Sequence, residues 1–395
     1  MKILCFIDSL GSGGAQRQLV TLAIGLKKRG HQIRFLVYHQ EDHFLPLLQA
    51  SDIACQVIPP CSLVQRAFLI RKIFQQGWQD VVLVFLEASS LYAELASIPG
   101  RHWGLVVGER SAAPNIYHGV RRLLRQFHRV ADAVVCNSHT NRLMLASAFP
   151  FLRRKLCVVY NTVDLKHFKA FSDEVITAGG CSERIYRIVI AASYNAYKNM
   201  MNVAKALLLI KEQEEMLTVV IDWFGAEQLD KSPFEQVQRF IVENGLSELF
   251  RLHPVTRDIA TEYYRADAVG LFSSFEGLPN VVCEGMACGK PILLSNVCDA
   301  SNLVHDGKNG FLCDPNSPED IAEKIICMVS LSEQERQRMG EESRRIADQL
   351  FADDVVINRY ERILASATKH EWLPLDCNWP TEVPESALKT VERWA

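Results

Sequence analysis

Two glutamates eight positions apart, Glu276 and Glu284, lie in a stretch that otherwise reads as a turn followed by the start of a helix (residues 273–291). Free backbone N–H groups at a helix start, together with the positive end of the helix dipole, make a binding site for a phosphate. Carboxylates beside a phosphate would repel it unless they accept hydrogen bonds from hydroxyl groups. Sugars carry such hydroxyls on both sides of a diphosphate. The pair therefore predicts a nucleotide-sugar site, with one carboxylate on the transferred sugar and the other on the ribose.

The elements that must hold these glutamates follow from the neighbouring residues. Residues 268–272 form an apolar run typical of a buried strand, and Asn280 is a suitable N-cap for a helix that a glycine and a proline end. Glu276 is then expected at the carboxyl end of a strand, where open α/β sheets bind their ligands. The simpler alternative is that a glutamate at a helix start only complements the helix dipole. The complete stretch of residues 273–291 counts against this alternative.

The same stretch resembles the paired-glutamate signature of glycosyltransferase family 4, whose members are retaining enzymes. The resemblance covers about residues 1–365. It implies an α/β fold of the GT-B architecture, with two Rossmann-like parallel-sheet domains and the nucleotide-sugar site in the cleft between them. It assigns Glu276 to the donor sugar as a catalytic residue and Glu284 to the ribose. It places five further residues at the donor diphosphate: Gly277, Leu278, Pro279, Asn280 and Val281.

A glycine-rich loop, Gly13 and Gly14 followed by Gln16, joins the first predicted strand to an amphipathic helix. A dinucleotide-binding loop is the obvious alternative. However, Gln16 stands where that motif has its third glycine or alanine, and no clear acidic residue ends the second strand. The loop is similar to the one that family 4 members place against the donor phosphates. The resemblance therefore assigns Gly13, Gly14 and Gln16 to donor binding.

A lysine, Lys198, follows the first strand of the second predicted domain. A cation at the mouth of a βα turn can neutralise the charge that develops on a diphosphate leaving group. Lys198 is therefore predicted to bind the donor and to act in catalysis. The family pattern has an arginine five residues earlier, where this chain has Ser193. Ser193 is assigned to donor binding at that position. Lys198 would then act alone or with an arginine from elsewhere.

Glu109 and Arg110 follow the strand predicted over residues 104–107. Many family members carry a histidine near this strand end, close to the reacting sugars. The resemblance therefore makes Glu109 a third catalytic candidate and places Arg110 on the acceptor side. A surface ion pair is the alternative.

Residues 117–131 are predicted to form a basic helix with an apolar face that includes Val120 and Leu123. Such a helix can lie on anionic headgroups or bind a lipid diphosphate. A core-packing helix with a solvated arginine face is the alternative. The basic residues assigned to the acceptor or membrane side are His118, Arg121, Arg122, Arg125 and Arg129.

The distribution of charge favours an anionic partner for the first half of the chain. Residues 1–170 hold 21 Lys and Arg against 10 Asp and Glu, whereas the remainder holds 22 against 36. An anionic membrane surface is the predicted partner. Nucleic acid is not, because no aromatic-rich basic strand or recognised binding motif accompanies the charge. Twelve scattered cysteines without a C-x-x-C pair or a secretory leader predict reduced thiols in a cytoplasmic protein. No apolar run approaches the roughly 20 residues of a spanning helix.

Together these observations predict a retaining hexosyl- or N-acetylhexosaminyltransferase with a UDP- or GDP-linked donor. The acceptor is expected to be a lipid-linked saccharide at the inner face of the cell membrane, in surface-polysaccharide or lipopolysaccharide assembly. No D-x-D pattern occurs in the chain, so neither a metal nor another cofactor is expected. Two alternatives stay open. Ser193 and Glu109 suggest a non-catalytic nucleotide-sugar-binding partner of another transferase, and a sugar-nucleotide epimerase would share the architecture without needing an acceptor.

The expected organisation has five parts. Residues 1–166 form the acceptor-side domain, 167–184 a linker, and 185–350 the nucleotide-sugar domain. Residues 351–368 form a helix that crosses back to the first domain. No pattern in residues 369–395 predicts a role for the tail.

Overall fold

The structure is a computed structural model that describes residues 1–110, 119–168, 185–213, 219–227, 230–256, 258–373 and 377–394. These residues form two compact units. The first unit comprises Met1–Thr162, Leu350–Val383 and the residues from Val391 onward, and the second comprises Val163–Gln349 and Pro384–Thr390. Most of the predicted linker, residues 169–184, lies outside the described residues.

Each unit contains a parallel sheet. The strands of the first unit are β1 (Lys2–Phe6), β2 (Gln32–Val37), β3 (Ala54–Val57), β4 (Val81–Phe85), β5 (Gly104–Glu109), β6 (Ala133–Cys136) and β7 (Leu156–Val158). Those of the second are β8 (Tyr186–Ala191), β9 (Val219–Phe224), β10 (Phe250–His253), β11 (Ala268–Leu271), β12 (Ile292–Ser295) and β13 (Gly310–Cys313). The strand orders are β3-β2-β1-β4-β5-β6-β7 and β10-β9-β8-β11-β12-β13. Both orders are those of doubly wound Rossmann-like domains. The predicted fold class is confirmed.

Helices connect the strands and cover the sheets. They are α1 (Gly14–Lys28), α2 (Leu45–Ala50), α3 (Leu63–Gln75), α4 (Glu87–Ala96), α5 (Gly119–Arg125), α6 (His139–Ala148), α7 (Met200–Gln213), α8 (Ser232–Glu243), α9 (Ile259–Arg265), α10 (Asn280–Ala287), α11 (Ala300–Leu303), α12 (Pro318–Val329), α13 (Glu333–Phe351), α14 (Asp353–Thr368) and α15 (Glu385–Trp394). Short 3-10 segments span Gln126–Val130, Pro150–Leu152 and Ala196–Lys198. Within the described ranges, no helix is both long and apolar enough to cross a membrane.

The core of the first unit is built partly by residues from late in the chain. Every residue of β4 is buried, as expected for a strand covered on both faces of a parallel sheet. Helix α14 packs against this core with Tyr360 and Leu364 among its buried residues. A Cβ on Gly25 in α1 would lie 2.1 Å from Cδ1 of Ile357, so glycine lets α1 and α14 approach closely. Residues near 360 thus complete the core that begins at residue 3.

The sheet of the second unit places β11 between β8 and β12. Val269 of β11 pairs with Val189 of β8 on one side and with Ile292 of β12 on the other. Helix α10 lies close against β11, because a Cβ on Gly285 would be only 2.9 Å from side-chain carbons of Val269. The strand order reverses between β8 and β11, and ligands of doubly wound sheets bind at the carboxyl ends of the strands at such a point.

One part of the tail, for which the sequence predicts no role, pairs with the first sheet at Trp379. Trp379 donates its backbone N–H to Val158 O at 2.7 Å and accepts from Tyr160 N–H at 3.2 Å. Its indole Nε1 donates to Leu350 O at 3.2 Å. The tail therefore extends the hydrogen bonding of β7 by one isolated bridge.

Candidate active site

Lys198 and Glu276 meet at the carboxyl end of the second sheet. The Nζ atom of Lys198 lies 2.5 Å from Oε1 of Glu276. Lys198 ends the 3-10 segment after β8, and Glu276 follows β11. The two residues are 78 positions apart in the chain and meet because β8 and β11 are neighbours. Both side chains keep some exposure, 14% for Lys198 and 17% for Glu276, so a ligand can reach the pair.

The two loops that carry this ion pair are fixed to each other. Ser274 donates its N–H to Tyr197 O at 2.8 Å. The rings of Tyr197 and Phe275 stack with centroids 4.8 Å apart, and Lys198 Nζ lies 4.9 Å from the centroid of Tyr197. Asn199, next in the chain, has φ 69° and donates its side-chain amide to Pro315 O at 2.6 Å. These contacts hold the ammonium group and the carboxylate in place.

Glu284 lies in α10 and is buried. The helix begins at Asn280, and Pro279 is its N-cap, so Asn280 is not the cap residue that the sequence predicts. The cap makes no side-chain hydrogen bond. The backbone N–H groups of the first turn of α10 thus follow directly on the loop Gly277–Pro279, an arrangement that suits an anion.

A recess of about 240 Å³, part of it open solvent, lies beside Glu276. The hydroxyls of Ser273 and Ser295 are buried and have no hydrogen-bond partner among the described residues. Buried hydroxyls normally find partners, and both residues line this recess. Its other lining residues come from the loop between β11 and α10, from β12, from the loop after β12 and from the start of α11: Glu276, Pro279, Leu294, Val297, Cys298, Asp299 and Ala300.

Ser193 is partly buried and lies after β8, where its carbonyl accepts the N–H of Asn195 at 2.8 Å. Arg187, an arginine on β8, does not replace the arginine of the family pattern. Its Nε and Nη2 donate to Asp222 and Glu262 at 2.5 and 2.6 Å. Lys198 is therefore the cation that the described second unit places beside Glu276.

The glycine-rich loop belongs to the first unit. Gly13 is the N-cap of α1, and Gln16 donates its side-chain amide to Asp8 Oδ1 at 3.0 Å. A Cβ on Gly13 would lie 2.2 Å from Oε1 of Gln16. Gly13 and Gly14 are exposed, so the start of α1 presents backbone N–H groups outward.

Glu109 lies in a buried cluster of charged groups in the first unit. His128 approaches it with Nε2 at 2.9 Å from Oε1, while Nδ1 of the same ring is 2.5 Å from Glu94 Oε1. Arg125 donates from Nη2 to Glu109 Oε2 at 3.2 Å and from Nη1 to Glu87 at 2.8 Å. Both oxygens of Glu109 are thus engaged by cations.

The electrostatics of this cluster follow from its packing. Burial alone would raise the pKa of Glu109, but the hydrogen bond from His128 and the charge of Arg125 outweigh burial and hold that pKa at about 2. Burial would lower the pKa of His128, but Glu94 and Glu109 raise it to about 9. At neutral pH Glu109 is therefore an anion and His128 a cation. A carboxylate with so low a pKa is a poor general base, so the geometry favours an internal ion pair over a catalytic role.

Arg110 is likewise held inside the first unit. It donates from Nη1 to Asn161 Oδ1 at 3.0 Å and from Nη2 to the hydroxyl of Tyr360. Its guanidinium carbon lies 3.8 Å from the ring centroid of Phe85. These contacts fix the end of β5.

The basic helix differs from its prediction. It forms α5 (Gly119–Arg125) and a 3-10 segment, and the predicted apolar face is partly outside: Val120 and Leu123 are 71% and 63% exposed. Arg125 is buried and is not available to a membrane surface, because it pairs with Glu87 and Glu109. Of the other predicted residues, His118 lies outside the described residues, and the exposed ones are Arg121, Arg122 and Arg129.

Sequence reasoning did not identify His128 as a partner of Glu109, or Glu94 as the second partner of His128. One signal was present, because Arg125 and His128 are three residues apart and therefore lie on one face of a helical turn. The loop residue Cys298, which lines the recess, was also not identified. In the described part of the chain, no three His, Cys, Asp or Glu side chains are grouped as a metal site would require.

Two family models match the chain. The model for Glycosyltransferase Family 4 matches residues 12–167, and the model for Glycosyl transferases group 1 matches residues 179–346. The chain is therefore a glycosyltransferase of the GT-B type, with one domain that matches family 4 and one that matches group 1.

Individual relatives agree with this assignment. An uncharacterized glycosyltransferase of Methanocaldococcus jannaschii is 31% identical over 30% of this chain and 34% of its own length. A Campylobacter jejuni enzyme, GalNAc-alpha-(1->4)-GalNAc-alpha-(1->3)-diNAcBac-PP-undecaprenol alpha-1,4-N-acetyl-D-galactosaminyltransferase, is 25% identical over 95% of this chain and 98% of its own. The crystal structure of Anabaena HepE in complex with UDP has a TM-score of 0.76 at 21% identity, covering 93% of this chain and all of HepE.

Proposed function

We propose that this glycosyltransferase is a retaining, metal-independent enzyme that moves a hexosyl or N-acetylhexosaminyl group from a UDP- or GDP-linked sugar to a lipid-linked saccharide. The observation that carries the proposal is the contact of 2.5 Å between Lys198 and Glu276 at the switch point of the second sheet. An ammonium group and a carboxylate at one point suit a ligand that joins a diphosphate to a sugar, because each group matches one part of it.

In this proposal Lys198 neutralises the charge that develops on the departing diphosphate. Glu276, freed from the ion pair when Lys198 engages the phosphate, accepts hydrogen bonds from hydroxyls of the transferred sugar. The unpartnered hydroxyls of Ser273 and Ser295 border the same recess and offer further polar contacts. The acceptor hydroxyl attacks from the face that the nucleotide leaves, and the leaving diphosphate takes its proton.

The nucleotide side is assigned to α10. Glu284 is proposed to hold the ribose, and the N–H groups between Gly277 and Val281 to bind the diphosphate at the helix start. The glycine-rich loop at Gly13 and Gly14 is proposed to assist on the phosphates. Because Lys198 and the helix dipole together supply positive charge, the reaction is proposed to need no divalent cation.

The acceptor and membrane side is assigned to the first unit. Val120 and Leu123 are large apolar side chains exposed beside the exposed Arg121 and Arg122. Apolar groups flanked by arginines are typical of surfaces that lie on anionic headgroups. The Campylobacter relative is named for an acceptor linked to PP-undecaprenol, which supports a lipid-linked saccharide and a place in surface-polysaccharide or lipopolysaccharide assembly.

The test measures transfer of labelled sugar from a panel of UDP- and GDP-sugars into a lipid extract, in the presence of a chelator. Wild type is compared with Glu276→Gln, which keeps the shape and removes the charge, and with the control Glu333→Gln. Glu333 starts α13 and takes no part in the proposed site. The anomeric configuration of the product is read by NMR. We expect one donor to label the lipid with retained configuration, Glu333→Gln to match wild type, and Glu276→Gln to lose about 100-fold or more in kcat.

Other outcomes would identify the alternatives. Nucleotide binding without transfer from any donor would indicate the non-catalytic partner that Ser193 suggests. Conversion of the donor without any acceptor would indicate an epimerase. Inversion at the anomeric carbon, or loss of transfer in chelator, would contradict the proposed mechanism.

A further inference from the structure

The C-terminal helix α15 lies against the loop that borders the recess beside Glu276. Its buried face is made of small residues, Ser386, Ala387 and Thr390, whereas Leu388 and Lys389 on the opposite face are exposed. The small side chains allow the helix to approach the chain between β12 and α11 closely. Residues 384–390 belong to the same compact unit as that loop.

Four hydrogen bonds join the helix to this loop and to α11, which follows it. Thr390 accepts the backbone N–H of Cys298 on Oγ1 at 2.7 Å. Ser301 donates its N–H to Ser386 Oγ at 3.0 Å, Ser386 donates its N–H to Ser301 Oγ at 3.3 Å, and the two hydroxyls lie 2.9 Å apart. Thr390 also donates to Ser386 O at 2.7 Å, which fixes the rotamer of its hydroxyl. The helix thus holds this segment at Cys298 in the loop and at Ser301 in α11, three residues apart.

Cys298 connects this attachment to the candidate catalytic residue. Its Sγ accepts the backbone N–H of Glu276 at 3.3 Å. Its φ of 53° lies in the left-handed region, which a residue with a side chain adopts only when its surroundings hold it there. The hydrogen bond from Cys298 N–H to Thr390 is one such restraint. A continuous path therefore runs from Thr390 through Cys298 to the backbone of Glu276.

We propose that Thr390 is a positioning residue for the sugar, and that α15 sets the place of Glu276 through Cys298. The proposal rests on the proposed function, because it takes Glu276 to face the donor sugar. Loss of the Thr390 hydroxyl removes its hydrogen bond to the N–H of Cys298 and loosens the loop. Contacts to the sugar then weaken most, while contacts to the diphosphate, which Lys198 and α10 mainly make, weaken less.

The experiment compares Thr390→Val, which keeps the shape and removes the hydroxyl, with Thr390→Ser, which restores it. Lys389→Ala on the exposed face of the same helix is the matched control. Calorimetry gives the affinity of each variant for the sugar nucleotide that binds wild type and for the bare nucleoside diphosphate from which it is built. Hydrogen exchange is followed at residues 274–278 and 296–301. Binding is the primary measurement because it does not require turnover.

We expect Thr390→Val to weaken the sugar nucleotide about 3- to 10-fold relative to the bare diphosphate, as for the loss of one hydrogen bond. Exchange in both segments should become faster, Thr390→Ser should restore both properties, and Lys389→Ala should match wild type. Equal weakening of both ligands, or unchanged exchange at residues 274–278, would overturn the inference. Wild type that binds a sugar nucleotide but never transfers would refute the transferase, and the same ratio of affinities would still decide the role of Thr390. A wild type that binds no nucleotide would refute both.

Discussion

The buried cluster around Glu109 predicts a pH dependence of stability that belongs to the first unit. The pKa of His128 is raised from 6.5 to about 9 by Glu94 and Glu109. A group whose pKa is higher in the folded state stabilises that state fully below its unfolded pKa. This stabilisation is lost as the pH rises through the folded value. The first unit should therefore become less stable between about pH 6.5 and about pH 9.

The size of the effect follows from the pKa values. At about 1.4 kcal/mol per pKa unit, a rise from 6.5 to about 9 corresponds to about 3 kcal/mol of unfolding free energy. About 1 kcal/mol of it should disappear between about pH 6 and about pH 7.5. This range lies below the titration of the buried thiols, which become ionised in the unfolded chain around pH 8.5. Glu109 acts in the opposite direction and at lower pH, since its pKa of about 2 lies below its ordinary value.

The assay is urea unfolding at several pH values, read by hydrogen exchange of peptides from β4 to β6, so that only the first unit is scored. Wild type is compared with His128→Gln and with His43→Gln, a variant of an exposed histidine. The pH slope should persist in His43→Gln and disappear in His128→Gln. If wild type and His128→Gln lost stability equally over this range, a charged His128 between Glu94 and Glu109 could not be correct.

Three further predictions concern the proposed site and surface. Lys198→Ala should lower kcat about 100- to 1,000-fold, as does removal of a group that stabilises transition-state charge, in steady-state transfer assays; an unchanged kcat would remove Lys198 from the mechanism. Glu284→Gln should raise the donor KM about 10-fold or more with a smaller change in kcat, since a ribose contact serves ground and transition states alike; a fall in kcat alone would contradict the ribose assignment. The double variant Val120→Asp and Leu123→Asp should lose binding to vesicles containing anionic lipid in a sedimentation assay, and undiminished sedimentation would exclude this surface.

The fold and the meeting of Lys198 with Glu276 could be predicted because each depends on local pattern and on strand order. Apolar runs that end in turns mark parallel strands, and residues after such strands collect at one edge of the sheet. The contact itself joins residues 78 positions apart. It follows from the general rule that ligand sites form where the strand order reverses.

The orientation of the basic helix could not be predicted in the same way. Arg121, Arg125 and Arg129 are four residues apart and therefore share one face of a helix. Their spacing does not show whether that face is turned to solvent or to buried acids. Glu87 and Glu94 come from α4 and Glu109 comes from β5, and only the tertiary structure brings these carboxylates to Arg125 and His128. Val120 and Leu123 become exposed as a result.

The packing of the tail could not be predicted for a related reason. Helix α15 is amphipathic, but its buried residues Ser386, Ala387 and Thr390 are small, so the sequence does not show which surface they pack against. The helix is held by specific hydrogen bonds to Ser301 and Cys298. These residues precede their partners in α15 by 85 and 92 positions in the chain.

The division of the chain between the units has a consequence for biosynthesis. The first unit includes α14, whose buried residues Tyr360 and Leu364 fill the core around β1 and β4. During translation, residues 1–162 leave the ribosome long before α14 is synthesised. Until then, the apolar surface that α14 covers in the first unit remains exposed. Most of the second unit is complete once Gln349 has emerged. Vectorial synthesis therefore favours closure of the second unit first, and the segment from Leu350 to Val383 then completes the core that the strands of the first unit began.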